Sequence, residues 1–239
     1  MELSQLRARS MFARSRFGLF VNPFFITRRC LFLALSDLCS GAHGKLLDFG
    51  CGSKPYRTLF PSVSSYIGCD IKVSGHNHVE STIDCYYDGK TLPFADEAFD
   101  WVFSTETLEH VFNVDDIVRE LHRILKKGGR LLVSAPFCWD EHEVPYDFAR
   151  YTSFGLRHIL QSAGFKVVEY RKTGSYVLSI VQMIQAYIYQ HVFPKRFRLR
   201  LWLTPLVLTP LSVLGYSLNM ILPRRDSFFM TSVVLCEKT

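Results

Sequence analysis

The chain has 239 residues, 48% hydrophobic, 14% aromatic and 21% charged: enough apolar material for a full core and too much for a disordered segment. Its seven cysteines, an odd number without framework spacing, exclude a disulfide-knit secreted domain and suit reduced thiols in a cytosolic setting. The net charge of +6 is concentrated in Arg7, Arg9, Arg14, Arg16, Arg28 and Arg29 and in Lys195, Arg196, Arg198 and Arg200. Both groups sit among large apolar residues, which fits an anionic membrane surface better than nucleic acid, with ordinary solvated faces as the bland alternative.

Residues 1–29 interleave these arginines with Phe12, Phe17, Leu19, Phe20, Phe24 and Phe25. Asn22-Pro23 interrupts the apolar stretch and no small-residue cleavage site follows, so a basic amphipathic arm is expected rather than a secretory signal. Residues 30–239 are then expected to form one domain. Leu31, Phe32, Leu35 and Leu38 have the spacing of a helix over 27–40. Lys45–Phe49 reads as a buried strand. Gly50 and Gly52 remove the Cβ atoms that would hold a ligand off the backbone, while Ser53 and Pro55 suit a helix start. Further strands are predicted near 66–70, 82–86, 100–104 and 130–135, with helices near 55–60, 115–125 and 153–163. Gly128-Gly129 is expected to end one helix and turn the chain into the fifth strand. A sixth strand follows Gly164, and Phe229–Cys236 makes a seventh. Such alternation calls for a parallel sheet covered on both faces.

Four stretches stand in a fixed order. They are Asp48-Phe49-Gly50-Cys51-Gly52, Tyr66-Ile67-Gly68-Cys69-Asp70, Asp88-Gly89-Lys90-Thr91-Leu92-Pro93-Phe94 and Leu125-Lys126-Lys127-Gly128-Gly129-Arg130. An acid that ends an apolar strand about twenty residues after a glycine turn suits a ribose. The set resembles the class I S-adenosylmethionine-dependent methyltransferases, in the branch that includes the ubiquinone-biosynthesis enzymes. The resemblance covers roughly 44–170 and the last ten residues. It implies an α/β, Rossmann-like seven-stranded, mostly parallel sheet in the order 3-2-1-4-5-7-6. It also implies S-adenosylmethionine as cofactor, with Asp48, Gly50 and Gly52 at its amino-acid end, Asp70 on the ribose, and Asp88 with the Gly89 amide at the adenine edge. Asp84 competes with Asp88 for that last place. Many relatives carry a third glycine where Lys54 stands, and the long side chain either narrows the pocket or swings outward. A nicotinamide enzyme is disfavoured because the final glycine of G-x-G-x-x-G is missing.

Between the sixth and seventh strands the chain carries an insert, residues 175–225. It contains two runs without Asp, Glu, Lys or Arg, Tyr176–Phe193 and Leu201–Leu222, each near bilayer-spanning length. Lys195, Arg196, Arg198 and Arg200 lie between them and would have to cross, against the positive-inside tendency. Gln182, Gln185 and His191 weaken the first run, and Pro205, Pro210 and Gly215 are expected to break the second. Interfacial or re-entrant helices on the cytoplasmic face are therefore preferred over full spanning, a soluble lid or a dimer surface. The oligomeric state is not legible.

The chemistry falls to two segments. Ser104–Val111 follows the fourth strand, and Pro136–Thr152 follows the fifth with aromatics, acids, one His and one Arg, as an acceptor pocket would require. His142 is the candidate base, with Asp147 and Arg150 orienting it or the acceptor; the bland alternative is that these two only pair to hold the loop. His110 reads equally as a packing residue. Cys138 and His142 are four apart, but no second ligand pair stands out and no metal is expected. The function expected is methyl transfer to a small or lipid-linked acceptor, at oxygen, near a membrane. A degenerate membrane-tethered binding domain is one alternative. A nucleic-acid or protein methyltransferase is another, disfavoured because no Asn-Pro-Pro-aromatic motif follows the fourth strand.

Overall fold

The computed structural model describes residues 15–72 and 82–239, and the arginines and Phe12 of the first fourteen residues lie outside them. Seven strands form one sheet: β1 (Gly44–Phe49), β2 (Val63–Ile71), β3 (Cys85–Tyr87), β4 (Phe99–Thr105), β5 (Leu125–Pro136), β6 (Phe165–Thr173) and β7 (Thr231–Lys238). Their order is β3-β2-β1-β4-β5-β7-β6, and the four pairs from β3 to β5 are parallel. This is the expected order.

The helices are α1 (Gly18–Val21), α2 (Phe25–Leu38), α3 (Val114–Ile124), α4 (Ser153–Ser162), α5 (Tyr176–Tyr187), α6 (Phe197–Leu203) and α7 (Thr209–Ile221). On α3 the buried positions Ile117, Val118, Leu121 and Ile124 recur at helical spacing, and Asp115 and Asp116 in its first turn complement the helix dipole. On α4, Thr152 caps the start by accepting from the Gly155 N–H at 3.1 Å.

Three predicted boundaries change. The helix expected at 55–60 is a single 3-10 turn, Arg57–Leu59. The third strand is Cys85–Tyr87 rather than 82–86. Gly128-Gly129 does not end a helix: α3 stops at Ile124 and β5 starts at Leu125. The glycine pair absorbs a kink inside that strand, with Gly128 at φ +72° and no room for a Gly129 side chain, whose Cβ would lie 2.8 Å from the Lys126 carbonyl.

The chain divides into two compact units. One holds Leu35–Arg171 and Ser232–Thr239. Its core joins Leu47 and Phe49 of β1, Val102 of β4, Leu131 and Val133 of β5 and the inner faces of α3 and α4.

The other unit holds residues up to Ala34 together with Lys172–Thr231. Beside a small apolar core of Ile26, Leu178 and Met230, its interior holds several polar side chains. Ser179, Gln182, Gln185, Thr204, Thr209 and Ser212 are buried. They are satisfied internally: Gln182 donates to the Pro23 carbonyl at 3.1 Å, and Gln185 donates to the Leu208 carbonyl and Ser212 Oγ, both at 2.7 Å. Gly215 allows α7 to approach α5, since a Cβ there would meet Val181 at 3.0 Å. Meanwhile Ile180, Ile184, Tyr187, Trp202, Leu206, Val213, Leu214, Met220 and Ile221 face outward. The prolines do not break the second run as expected. A π-helical turn, Thr204–Leu208, carries the helix past Pro205, and Thr204 Oγ1 donates to the Arg200 carbonyl at 2.7 Å. Phe197–Ile221 is consequently one continuous helical stretch of 25 residues, long and apolar enough to cross a membrane by length and composition.

Candidate active site

The glycine bend follows β1. Gly50 and Gly52 have φ of +71° and +46°, a region open to glycine at no steric cost. Gly50 is hemmed in: an added Cβ would lie 2.2 Å from Thr107 Cγ2, whereas nothing among the described residues stands within 4 Å of one at Gly52. Asp70, at the end of β2, accepts from the Gly52 N–H at 2.8 Å through Oδ2 and from its neighbour's Ile71 N–H at 2.8 Å through Oδ1. The expected ribose acid therefore sits against the bend.

Asp48 is buried inside β1 and accepts from Tyr66 Oη at 2.5 Å. Its other oxygen, Oδ1, has no hydrogen-bond partner among the described residues. Burial drives its pKa up to about 7 against the pull of the Tyr66 bond and the Lys54 charge. An unpaired buried carboxylate oxygen beside two bare glycines is the kind of polar atom that a cationic or donor group satisfies. The chain's residues thus fit the amino-acid end of S-adenosylmethionine.

Lys54 takes neither of the two expected courses. Its φ is +52°, so a lysine adopts the backbone that a glycine would hold there. The side chain is folded into the protein, 5% exposed, and reaches Asp84 at 2.5 Å, crossing Gly68, where a Cβ would lie 2.3 Å from Lys54 Cε. Asp84 also accepts from the Gly68 N–H at 2.6 Å. Burial works against its ionised form, but the Gly68 and Lys54 bonds prevail and its pKa falls below the ordinary value. Asp84 is thereby committed to structure. Asp88 Oδ1 closes a turn by accepting from the Lys90 and Thr91 N–H groups at 2.8 and 2.7 Å, and those bonds lower its pKa. Gly89, at φ +85°, presents its carbonyl to Asn113 Nδ2 at 3.2 Å.

The segments after β4 and β5 converge. The Phe148 N–H donates to the Glu109 carbonyl at 2.8 Å, and Tyr151 Oη donates to the Leu108 carbonyl at 3.1 Å, so the loop after β5 is pinned to the segment after β4. Asp147 and Arg150 pair through two bonds of 2.6 and 2.7 Å. That bidentate pairing holds Asp147 down at about 2, against the cost of its burial. Arg150 also donates to the Trp139, Asp140 and Ala149 carbonyls, so it does shape the loop. Asp147 additionally accepts from the His142 N–H at 2.9 Å and lies 3.2 Å from His142 Nδ1. The Asp140 carbonyl lies 3.1 Å and the Arg150 Nη2 donor 3.4 Å from the same nitrogen; with Nδ1 protonated toward its two acceptors, Nε2 carries the lone pair.

Sequence reasoning did not place Tyr66 on Asp48, Lys54 on Asp84 or Thr107 over Gly50. A signal existed for the first. Asp48 pairs with Gly68 in register, and Tyr66, two residues earlier on β2, shares that face. His110, read as equally structural, reaches the other cluster: its ring lies 4.8 Å from that of His142. All seven cysteines are free, and Cys51 and Cys69 are buried gap-fillers whose thiols are raised by burial.

Residues 47–133 match the model of a methyltransferase domain family. The chain is 29% identical over 114 residues to the malonyl-(acyl-carrier protein) O-methyltransferase of Erwinia pyrifoliae, covering 46% of this chain and 44% of that relative. It thus spans less than half the length of that curated relative. Among solved structures, the 4+2 cyclase SpnF superposes with a TM-score of 0.58 at 19% identity, over 88% of this chain and 80% of that one. Geranyl diphosphate methyltransferase in complex with S-adenosylmethionine does so with a TM-score of 0.57 at 10% identity, over 90% of each chain. At these identities the two structures speak for the fold alone.

Proposed function

We propose that this chain carries a class I S-adenosylmethionine-dependent methyltransferase domain, a reading supported by the family match over residues 47–133, and that it methylates an oxygen of a small or lipid-linked acceptor at the cytoplasmic face of a membrane. The observation that carries the reading is the bond between Asp70 and the Gly52 N–H. It sets a ribose-binding acid at the mouth of a bend that keeps side chains away from a nucleoside.

The residues divide the work by chemistry. Asp48 Oδ1 takes the amino-acid end, Asp70 the sugar hydroxyls, and the turn at Asp88 and Gly89 the base edge. S-adenosylmethionine, when bound, supplies a methyl group on a positively charged sulfur that leaves as a neutral thioether. Asp147 holds the His142 ring and its tautomer, and His142 Nε2 accepts the acceptor's hydroxyl proton as the oxygen–carbon bond forms. The Arg150 charge, held by Asp147, fixes the loop that carries them.

The membrane part of the reading is supported by the unit with buried glutamines and exposed isoleucines, leucines and Trp202. That much apolar surface left outside favours a low-dielectric neighbour. Arg196, Arg198 and Arg200 at the start of α6 suit anionic headgroups. An acceptor drawn from the membrane would then meet the enzyme where it is dissolved.

The test is transfer of tritiated methyl from S-adenosylmethionine into a membrane extract, followed by mass spectrometry of the lipid fraction. Incorporation of one methyl per acceptor supports the assignment. Cofactor binding without incorporation into any fraction would instead support a degenerate binding domain.

A further inference from the structure

Beside the proposed base His142 lie two donors, Glu109 and His110, that methyl transfer does not use. Glu109 is fully buried, and neither of its carboxylate oxygens has a hydrogen-bond partner among the described residues. A carboxylate withdrawn from water without partners is costly, and a bound cation is one way to satisfy it. His110 Nδ1 lies 2.8 Å from the Tyr146 carbonyl, which fixes its proton on Nδ1 and leaves Nε2 a bare lone pair. That Nε2 is buried and makes no hydrogen bond among the described residues, and it stands 3.9 Å from Glu109 Oε1 and 3.6 Å from Glu143 Oε1. His142 Nδ1 is met by the Asp140 carbonyl and Asp147, with Arg150 Nη2 at 3.4 Å. One ligand atom from each of Glu109, His110 and His142 lies within 4.8 Å of the others.

We propose that Glu109, His110 and His142 form a binding site for a divalent first-row transition-metal ion of the zinc class, with Glu143 as a further oxygen donor. Two imidazoles and a carboxylate are the donor set such ions prefer over calcium or magnesium. In a tetrahedral zinc site the ligand atoms stand about 3.4 Å apart, so shifts of roughly 1 Å close the site from the present spacing. The outer contacts suit a metal site: the Tyr146 carbonyl meets His110 Nδ1 and the Asp147 carboxylate meets His142 Nδ1, each helping to orient its ring. The Arg150 charge beside His142 is offset by its bidentate bond to Asp147. With Glu143 bound the tetrahedral set is complete, and an outside oxygen enters only in its place. Because the ion takes the His142 lone pair, a loaded site and proton abstraction by His142 are mutually exclusive states of the same cluster.

The test is isothermal titration of the full-length, chelator-treated chain with zinc chloride, with S-adenosylmethionine titrated separately into the same samples. The expected result is saturable binding of one zinc ion per chain. Glu109→Gln and His110→Ala should each weaken it by about tenfold or more. His43→Ala, which alters an exposed histidine elsewhere, should bind as the unaltered chain does. Cobalt(II) added to the unaltered chain should give visible d–d absorption that zinc abolishes, a readout independent of how the variants fold. Absence of saturable zinc binding, or equal affinity in Glu109→Gln and His110→Ala, overturns the site. Zinc binding without cofactor binding would keep the metal site and remove the methyltransferase reading; cofactor binding without zinc would do the reverse.

Discussion

Asp48 ties the cofactor pocket to pH. Its pKa is raised by burial from 3.8 to about 7, so the fold favours its protonated form. Its contribution to stability is complete below about 4 and is lost as pH rises through about 7. A ligand that presents an ammonium group favours the ionised form instead. Affinity for S-adenosylmethionine should therefore rise from about pH 6 to about pH 8, with proton release on binding, and Asp48→Asn should flatten that slope. Calorimetry in two buffers of different ionisation enthalpy reads both effects; a pH-independent affinity in the unaltered chain would separate Asp48 from the cofactor. For His142, replacement by Ala should leave cofactor affinity near normal while turnover falls by about 100-fold or more. Equal turnover would remove it from the mechanism. At this scale the sequence yielded what local patterns encode. The place of Asp70 beside the glycine bend was legible because an acid that ends an apolar strand about twenty residues after such a bend falls at the neighbouring strand end. Asp84 was not distinguishable from Asp88 until Lys54 was seen to bind it, since that pair joins residues thirty positions apart.

At the scale of elements, the bend and the strands were legible because their signals are periodic or involve glycine. Gly50→Ala would force a Cβ against Thr107 at a φ of +71°, and should cost roughly 2 kcal/mol or more of folding stability. Gly52→Ala meets open space among the described residues and should cost only about 1 kcal/mol through its backbone, yet place a methyl in the cleft proposed for the cofactor. Denaturant midpoints and cofactor titration together separate the two outcomes: loss of binding at Gly52 with folding nearly intact, and loss of stability at Gly50. The convergence of Glu109, His110 and His142 was hidden, because the loop after β5 lacks a period from which its path could be read. The helix past Pro205 was missed for a related reason. Proline signals a break in an α-helix, but a π turn with a Thr204 hydroxyl bond accommodates it.

For the whole molecule, the exposed apolar residues of α5 to α7 and the basic start of α6 lead to a membrane prediction. The purified chain should co-sediment with vesicles containing anionic lipid, less so at high salt. Trp202→Ser with Leu206→Ser should reduce binding at every salt concentration, while Arg196→Ala with Arg198→Ala should reduce it mainly at low salt. Partition that ignores all four changes would dissociate this surface from lipid.

The most direct measurement is titration of the chain with S-adenosylmethionine, repeated on Asp70→Asn. Saturable one-to-one binding, weakened by about tenfold or more when the carboxylate becomes an amide, is the result expected of a cleft whose acid grips the sugar. A chain that takes up none of the ligand, or a variant that binds it equally well, would contradict the enzyme assignment at its root.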